Sequence, residues 1–381
     1  MKIIHFHNGM GGGVFSVIRN LLLYKQHTEI ENHVIYTINK DKVKNYNLPG
    51  LKGATSEQVF YYSVNWNFYY TCRQLAKLLS DENAIIVAHD WLELGMVSNL
   101  GLQTPVVQFL HGDYGYYYDL ALKNQSNIDL FISVSQNIQL TLQMKIPERV
   151  KEILYVRFPV PESFAGTQKY HNEKNIVFIG RLTHEKGYYL LPEIANKLNE
   201  TNTHFKWHII GSNAKSLDSQ NIWDKNINVS FYGEIENDQV AILLSKMDFY
   251  ILPSLAEGMP LSLIEAMKAG VLPFVNDLAG GINELVENDV TGFKIRNNNI
   301  GEFAKKIQFV TENEVLYLKL KEASKKKADN LFDPIKNTYI FESHILGMKK
   351  PNLKTSKKVY GSRMDERWVP NVITRLSRIL K

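Results

Sequence analysis

The chain has 381 residues, 44% apolar and 22% charged, an ordinary globular composition in a length that accommodates two domains with separate cores. Its single cysteine, Cys72, excludes an intrachain disulfide and a cysteine metal cluster, and fits a reducing compartment. The net charge of +5 is unevenly placed: residues 349–381 hold ten Lys/Arg against two acidic residues, a balance of +8, so the remainder carries −3.

The opening MKIIHFHNGMGGG has one Lys and an apolar run too short for a signal peptide. No uncharged apolar run approaches the roughly 18 residues that span a bilayer. Strands are predicted at Lys2–His7, His33–Ile38, Ala84–Ala88, Val106–Leu110 and Leu130–Val134. Helices are predicted at Val14–Tyr24, Tyr69–Leu79 and Gln136–Met144. Short β-rich runs alternating with longer helical periods predict a parallel sheet covered on both faces. Arg157–Asn175, with Pro159, Pro161 and Gly166 among polar residues, reads as a linker.

The alternation then resumes. Strands are predicted at Ile176–Gly180, Trp207–Ile210, Val229–Tyr232, Phe249–Leu252, Leu272–Val275 and Gly292–Ile295. Helices are predicted at Tyr188–Asn199, Asp238–Ser245, Leu261–Ala269, Ile300–Val310 and Glu314–Asp329. The fold class is therefore α/β, with two doubly wound domains expected to meet along the carboxyl ends of their strands, where open sheets bind ligands. The expected division is 1–160, 161–348 and a tail, 349–381.

SLAEGMPLSLIEAMKAG, residues 254–270, is the most informative stretch. Glu257 and Glu265 stand eight residues apart, with Gly258 and Pro260 where a loop becomes a helix. A helix start offers free N–H groups and partial positive charge to an anion. The second carboxylate, two turns on, suits hydroxyl groups. Phosphate and polyol together suggest a sugar nucleotide. FIGRLTHEKG, residues 178–187, places Arg181 just after a strand and Lys186 before a helix, two cations that could take a diphosphate. The alternative is a solvated loop charge pair.

Gly11, Gly12 and Gly13 follow the first strand and open a helix, as a phosphate cradle or a plain tight turn. Neither the dinucleotide fingerprint nor the P-loop fits them. His89 and His111 each close a strand. His111 is the better candidate, because an aromatic loop with Tyr114, Tyr116, Tyr117 and Tyr118 is expected after it. Packing accounts for most of those tyrosines. Gly280–Glu284 opens another helix, as a donor loop or a structural turn. No Asp-x-Asp and no metal-ligand spacing occurs, so no metal site is expected.

GRLTHEKG, PSLAEGMPLSLIEAMKAG and GGINELVENDVTGF, in this order, resemble the retaining glycosyltransferases of GT-B fold, group 1 or family-4 type, over about residues 1–348. The resemblance implies a GT-B architecture with an acceptor-side first domain and a nucleotide-sugar-binding second one. It implies a hexosyltransferase-type enzyme acting on a glycan or glycolipid hydroxyl in bacterial-type cell-surface polysaccharide synthesis. It implies a nucleotide-sugar co-substrate, a UDP-sugar first among them, and no further cofactor. Arg181 and Lys186 would hold the diphosphate. Glu257 would contact the transferred sugar, with Gly258, Met259, Pro260 and Leu261 near sugar and phosphate. Glu265 would bind the ribose, and Gly233, Glu234 and Ile235 would lie near the base. Gly12 and Gly13 would approach the phosphates, and His111 the reacting sugar. The chain departs from the family pattern at Arg157–Pro161, which lacks an Asn-Gly, and at Gly211–Asn213, which replaces a Gly-x-Gly. Other readings are a non-catalytic sugar-nucleotide-binding partner and a sugar-nucleotide epimerase of the same fold. Nucleic-acid binding is not expected, since the body is net negative.

In the tail, Trp368, Val369, Val372, Ile373, Leu376, Ile379 and Leu380 fall on an arc of about 140° at roughly 100° per residue. Arg367, Arg375, Arg378 and Lys381 lie outside it. This is an amphipathic helix, with Pro370 in its first turn. It suits either an anionic membrane surface, as a peripheral cytoplasmic protein on the inner face, or docking on the first domain.

Overall fold

The computed structural model describes residues 1–79, 84–163, 173–201, 203–348, 354 and 356–380. Gly166, within the expected linker, and Lys381 lie outside them. The chain forms two compact units: Met1–Pro159 with Pro334–Lys381, and Val160–Asp333.

Unit 1 runs β1 (Lys2–His7), α1 (Gly13–Leu23), β2 (Glu31–Asn39), β3 (Ser56–Tyr62), α2 (Phe68–Ala76), β4 (Ile85–Ala88), α3 (Trp91–Leu100), β5 (Val106–Leu110), α4 (Gly115–Asn124), β6 (Leu130–Ser133), α5 (Gln136–Lys145) and β7 (Ile153–Tyr155). Its seven strands pair in parallel in the order β3-β2-β1-β4-β5-β6-β7. β4, β5 and β6 are buried at every position, as strands covered on both faces are. Each large apolar side chain removed from water there contributes about 1.5–3 kcal/mol.

Unit 2 runs β8 (Glu173–Ile179), α6 (Leu191–Asn199), β9 (His204–Ile210), α7 (Leu217–Asn221), β10 (Asn228–Gly233), α8 (Asn237–Leu244), β11 (Phe249–Leu252), α9 (Leu261–Lys268), β12 (Leu272–Asn276), α10 (Gly281–Leu285), β13 (Phe293–Ile295), α11 (Ile300–Thr311) and α12 (Glu314–Leu331). The order is β10-β9-β8-β11-β12-β13, again parallel. Strand order reverses at β1/β4 in the first sheet and at β8/β11 in the second. The crevice outside the strand ends opens at such switch points.

Three parts of the expectation are corrected. The residues after His111 form no aromatic loop: they are the start of α4, with Tyr117 and Tyr118 buried and Tyr114 and Tyr116 exposed. α3 has no predicted counterpart because eight of its ten residues are buried, which erases any helical contrast between faces. The chain after Asp333 does not stay with unit 2. α13 (Pro334–Leu346) returns to unit 1. There the Glu342 carboxylate accepts the Gln26 and His27 amides at 3.0 and 2.9 Å, and Phe341 packs against His5 and Phe109.

The tail also lies on unit 1. Asn67 donates to the carbonyls of Met364, Glu366 and Val369, and the Phe68 amide to Asp365. Lys354 reaches Asp129 at 2.6 Å and the Thr104 carbonyl at 2.7 Å. The chain ends in α14 (Asn371–Ile379), capped by Pro370. Among the described residues, no helix is long and apolar enough to cross a membrane.

Candidate functional site

In unit 2 the loops after β8 and β11 leave adjacent strands at the switch point. The β8 loop turns through a short 3-10 helix, His184–Lys186, and closes on Gly187 at φ +68°. A Cβ at Gly187 would stand 2.0 Å from the Pro253 carbonyl oxygen. Only glycine permits this approach, because the left-handed backbone and the missing side chain are both required. The Leu255 amide donates to the Glu185 carbonyl at 2.8 Å, which closes the contact between the two loops.

That contact brings Lys186 to Glu257. The ammonium donates to both carboxylate oxygens, at 2.7 and 2.8 Å. Ser254 Oγ donates to the same Oε1 at 2.6 Å. The Glu257 side chain is only 6% exposed and that of Lys186 is 23% exposed, so the pair sits at the floor of the loop cluster with the cation toward its rim. A carboxylate has about four acceptor positions and an ammonium three donors. Three of the former and two of the latter are engaged, which leaves capacity on each for a polyol and an anion. Arg181 is exposed on the same loop.

Behind this pair the support is buried. Asn276 donates to the Ser254 carbonyl at 3.0 Å and accepts the Asn298 amide. Tyr250 OH bonds Ser262 Oγ at 2.7 Å, and that hydroxyl reaches the Ile179 carbonyl. Burial raises the Tyr250 phenol, and the charges of Glu257 and Glu265 add to the shift. Gly258, Met259 and Pro260 are buried beneath the α9 start, and Leu261 opens the helix. Glu265 lies one turn along, partly exposed. The Gly281 amide is spent on the Gly258 carbonyl, at 3.0 Å, so that glycine pair braces the loop.

Gly233 ends β10 and Glu234 and Ile235 follow it, two strands from β8, or about 10 Å at the spacing of paired strands. The Gly211 amide donates to the Gly233 carbonyl at 2.9 Å, and a Cβ at Gly211 would meet the Gly180 carbonyl at 1.9 Å. The departure at Gly211–Asn213 thus keeps the glycine that close packing requires.

In unit 1, the candidates stand after β1, β4 and β5, three adjacent strands. Gly12 caps α1 at φ 118°, and a Cβ added at Gly12 or Gly13 would meet nothing within 4 Å among the described residues. His89 Nδ1 and His111 Nε2 share a hydrogen bond of 2.7 Å. One ring must donate and the other accept, so each tautomer dictates the other. His5 stacks on His89 and, like His7, is buried. Burial lowers His5 and His7 to about 4 and His111 to about 3. His89 also falls well below its ordinary value, through burial and then its histidine neighbours. Glu93 accepts the His89 and Asp90 amides, and burial pushes its carboxyl up to about 8.

Sequence reasoning missed Ser254 as the partner of Glu257, although it opens the most informative stretch. It missed Asn276, which no pattern marks, and Glu93, whose capping box with Asp90 was legible as Asp-x-x-Glu.

Two doubly wound parallel sheets, with cation and carboxylate meeting at the switch point of the second, define a protein of GT-B architecture. Residues 159–327 match the family model for glycosyl transferases group 1. The chain resembles that family, and the match falls almost wholly within unit 2. It is 31% identical over 164 residues to an uncharacterized glycosyltransferase of Haemophilus influenzae, covering 40% of this chain and 43% of that one. Over 103 residues it is 37% identical to an Escherichia coli UDP-Gal:alpha-D-GlcNAc-diphosphoundecaprenol alpha-1,3-galactosyltransferase, covering 26% of each. The chain spans less than half the length of these relatives. Crystalline HepE of Anabaena, in complex with UDP and glucose, shares the fold at a TM-score of 0.72, with 16% identity over 91% of this chain and 99% of that one.

Proposed function

We propose that the chain is a retaining, metal-independent glycosyltransferase. It moves a sugar from a nucleotide diphosphate, a UDP-sugar, to a hydroxyl of a glycan or glycolipid in cell-surface polysaccharide synthesis. The observation that carries this reading is the Lys186–Glu257 pair, held by Ser254 beside the start of α9. The UDP complex of HepE and the UDP-Gal and lipid-diphosphate specificity in the name of the E. coli relative support the donor and acceptor classes.

Departure of the nucleoside diphosphate builds negative charge on its terminal phosphate. Preorganised donors aimed at such charge are typically worth about 3–4 kcal/mol each. Lys186 has one N–H left beyond its two bonds to Glu257, Arg181 adds a planar fork, and the α9 start adds backbone N–H groups. Glu257 accepts from a hydroxyl of the transferred sugar and Glu265 from the ribose. The acceptor hydroxyl enters on the face the phosphate leaves, and the phosphate takes its proton, so no protein nucleophile is needed. His111 and the Gly12–Gly13 turn are the unit 1 groups assigned to the same reaction. A glycolipid acceptor places the protein at the inner face of the membrane, on the cytoplasmic side.

The test is donor cleavage and transfer against a panel of UDP-, GDP- and ADP-sugars with EDTA present, with the anomeric configuration of the product read by NMR. Selective turnover of a UDP-sugar in EDTA, with retained configuration, is expected. An inverted product rejects the retaining mechanism, and activity that only a divalent cation restores rejects metal independence.

A further inference from the structure

Among the described residues, α14 is held on unit 1 by one side. Thr374, fully buried, donates to the Met364 carbonyl at 2.7 Å. Arg378 donates to the Val64 and Trp66 carbonyls at 3.1 and 2.6 Å and to Asp365 at 2.6 Å. Asn371 accepts the Asn67 amide at 2.8 Å. The Asp365 carboxyl is raised by burial, but the amides of Ser362 and Phe68 and the Arg378 guanidinium more than offset this and leave it below its ordinary range. These contacts fix the rotation of the helix about its axis.

The fixed rotation turns the apolar arc away from the protein. Trp368, Val372, Ile373, Leu376, Ile379 and Leu380 are 50–84% exposed. Val64, beside the docked Arg378, is a further 57% exposed. An amphipathic helix ordinarily buries this side on its own body. Here Thr374 and Arg378, roughly opposite the arc at about 100° per residue, are the docked side instead. Arg363, Arg367 and Arg375 are exposed, and Arg375 lies beside the arc at about 100° per residue.

We propose that this face is a membrane-docking surface, which enters the headgroup–acyl boundary of a bilayer containing anionic lipid. The proposal deepens the membrane placement given above by naming the surface, and it does not depend on the transfer reaction. Charge favours lipid over a second protein copy: residues 349–381 carry a balance of +8, which would repel its own copy. The exposed arginines of this segment match the anionic headgroups that surround an inserted helix. Because the helix is already docked, insertion of this face would hold unit 1 in one orientation against the bilayer.

Full-length protein is sedimented, without donor or acceptor, with vesicles of phosphatidylcholine alone or mixed with phosphatidylglycerol. The wild type should pellet with anionic vesicles and about tenfold less with neutral ones. The combined variant Ile373→Glu, Leu376→Glu, Ile379→Glu should keep its melting temperature, since all three side chains are exposed, and lose partitioning by about 100-fold or more. Val315→Glu, at an exposed position of unit 2, should pellet like the wild type. Brominated acyl chains should quench a tryptophan signal that Trp368→Phe abolishes. A wild type that stays in the supernatant, or a triple variant that still pellets, overturns the proposal. So does a wild-type dimer in sedimentation velocity that the triple variant converts to monomer, which would assign the face to a second copy.

Discussion

Lys186 and Glu257, 71 residues apart in sequence, form a two-pronged ion pair at 2.7 and 2.8 Å. One comes from the loop after β8 and the other from the loop after β11. The cation that would meet the leaving diphosphate is thereby aimed by the carboxylate that would meet the sugar. Lys186→Ala should lower turnover about 10²–10³-fold at saturating donor. Glu257→Gln should raise KM for the donor as well, because the amide keeps the shape but releases Lys186. Near-normal turnover in Lys186→Ala would reject the assignment.

Gly187 makes that pair possible from outside it. In Gly187→Ala the left-handed backbone alone costs about 1–2 kcal/mol. The new methyl would also stand 2.0 Å from the Pro253 carbonyl oxygen, so the loop must shift. Turnover should fall at least tenfold, since misplacement of about 1 Å can cost about 100-fold. Wild-type kinetics in this variant would show that the loop contact does not position Lys186.

The histidine group of unit 1 sets a direction for stability against pH. His5 and His7 have folded pKa values of about 4 against 6.5 ordinarily, and His89 and His111 are also depressed. Below pH 6.5 the unfolded chain takes up protons that the folded chain refuses. The stabilisation is complete above pH 6.5 and is lost as pH falls toward about 4. Glu93, raised to about 8 from 4.5, acts oppositely, because its folded form keeps a proton that the unfolded form releases. Four histidines outweigh one carboxyl, so stability should drop by a few kcal/mol between about pH 7 and pH 5. In urea titrations, His5→Phe should flatten this dependence by about 1.4 kcal/mol per pH unit. An unchanged slope would remove His5 from the account.

Lys268 ties both ends of unit 2 together. Its buried ammonium donates to the Val160 carbonyl at 2.8 Å, where the chain enters, and to the Phe332 carbonyl at 3.0 Å, where it leaves. Burial lowers its pKa, partly offset by Asp329. Lys268→Met fills the space but leaves two buried carbonyls without their donor, at about 1–3 kcal/mol each. The thermal transition of unit 2 should fall by several degrees. An unchanged transition would mean that packing alone holds the two crossings.

Much of the fold was legible because parallel strands buried on both faces are short, continuous apolar runs. β1, β5 and β11 start and stop where the residue pattern says. β3 escaped because it is an edge strand of mixed polarity, with a single buried residue. Residues 334–346, read only as part of the range 161–348, form α13 and return to unit 1, because no local pattern says which body a segment packs against. The site was legible for a local reason: Lys186 and Glu257 each lie in a loop with its own glycine and helix signals. Asn276 acts through a separation that no local pattern encodes, whereas Ser254 stands only three residues before Glu257, within reach of the pattern.

Residue pattern alone therefore determined two α/β units and the loops that carry their chemistry, because burial and turn geometry are written within a few residues. Tertiary structure decided which charges meet, that the chain returns to unit 1 at Pro334, and which side of α14 is spent on docking. In the sequence that helix shows only two faces. Hydrogen bonds from Thr374 and Arg378 select the polar face for the protein and leave the apolar face outward.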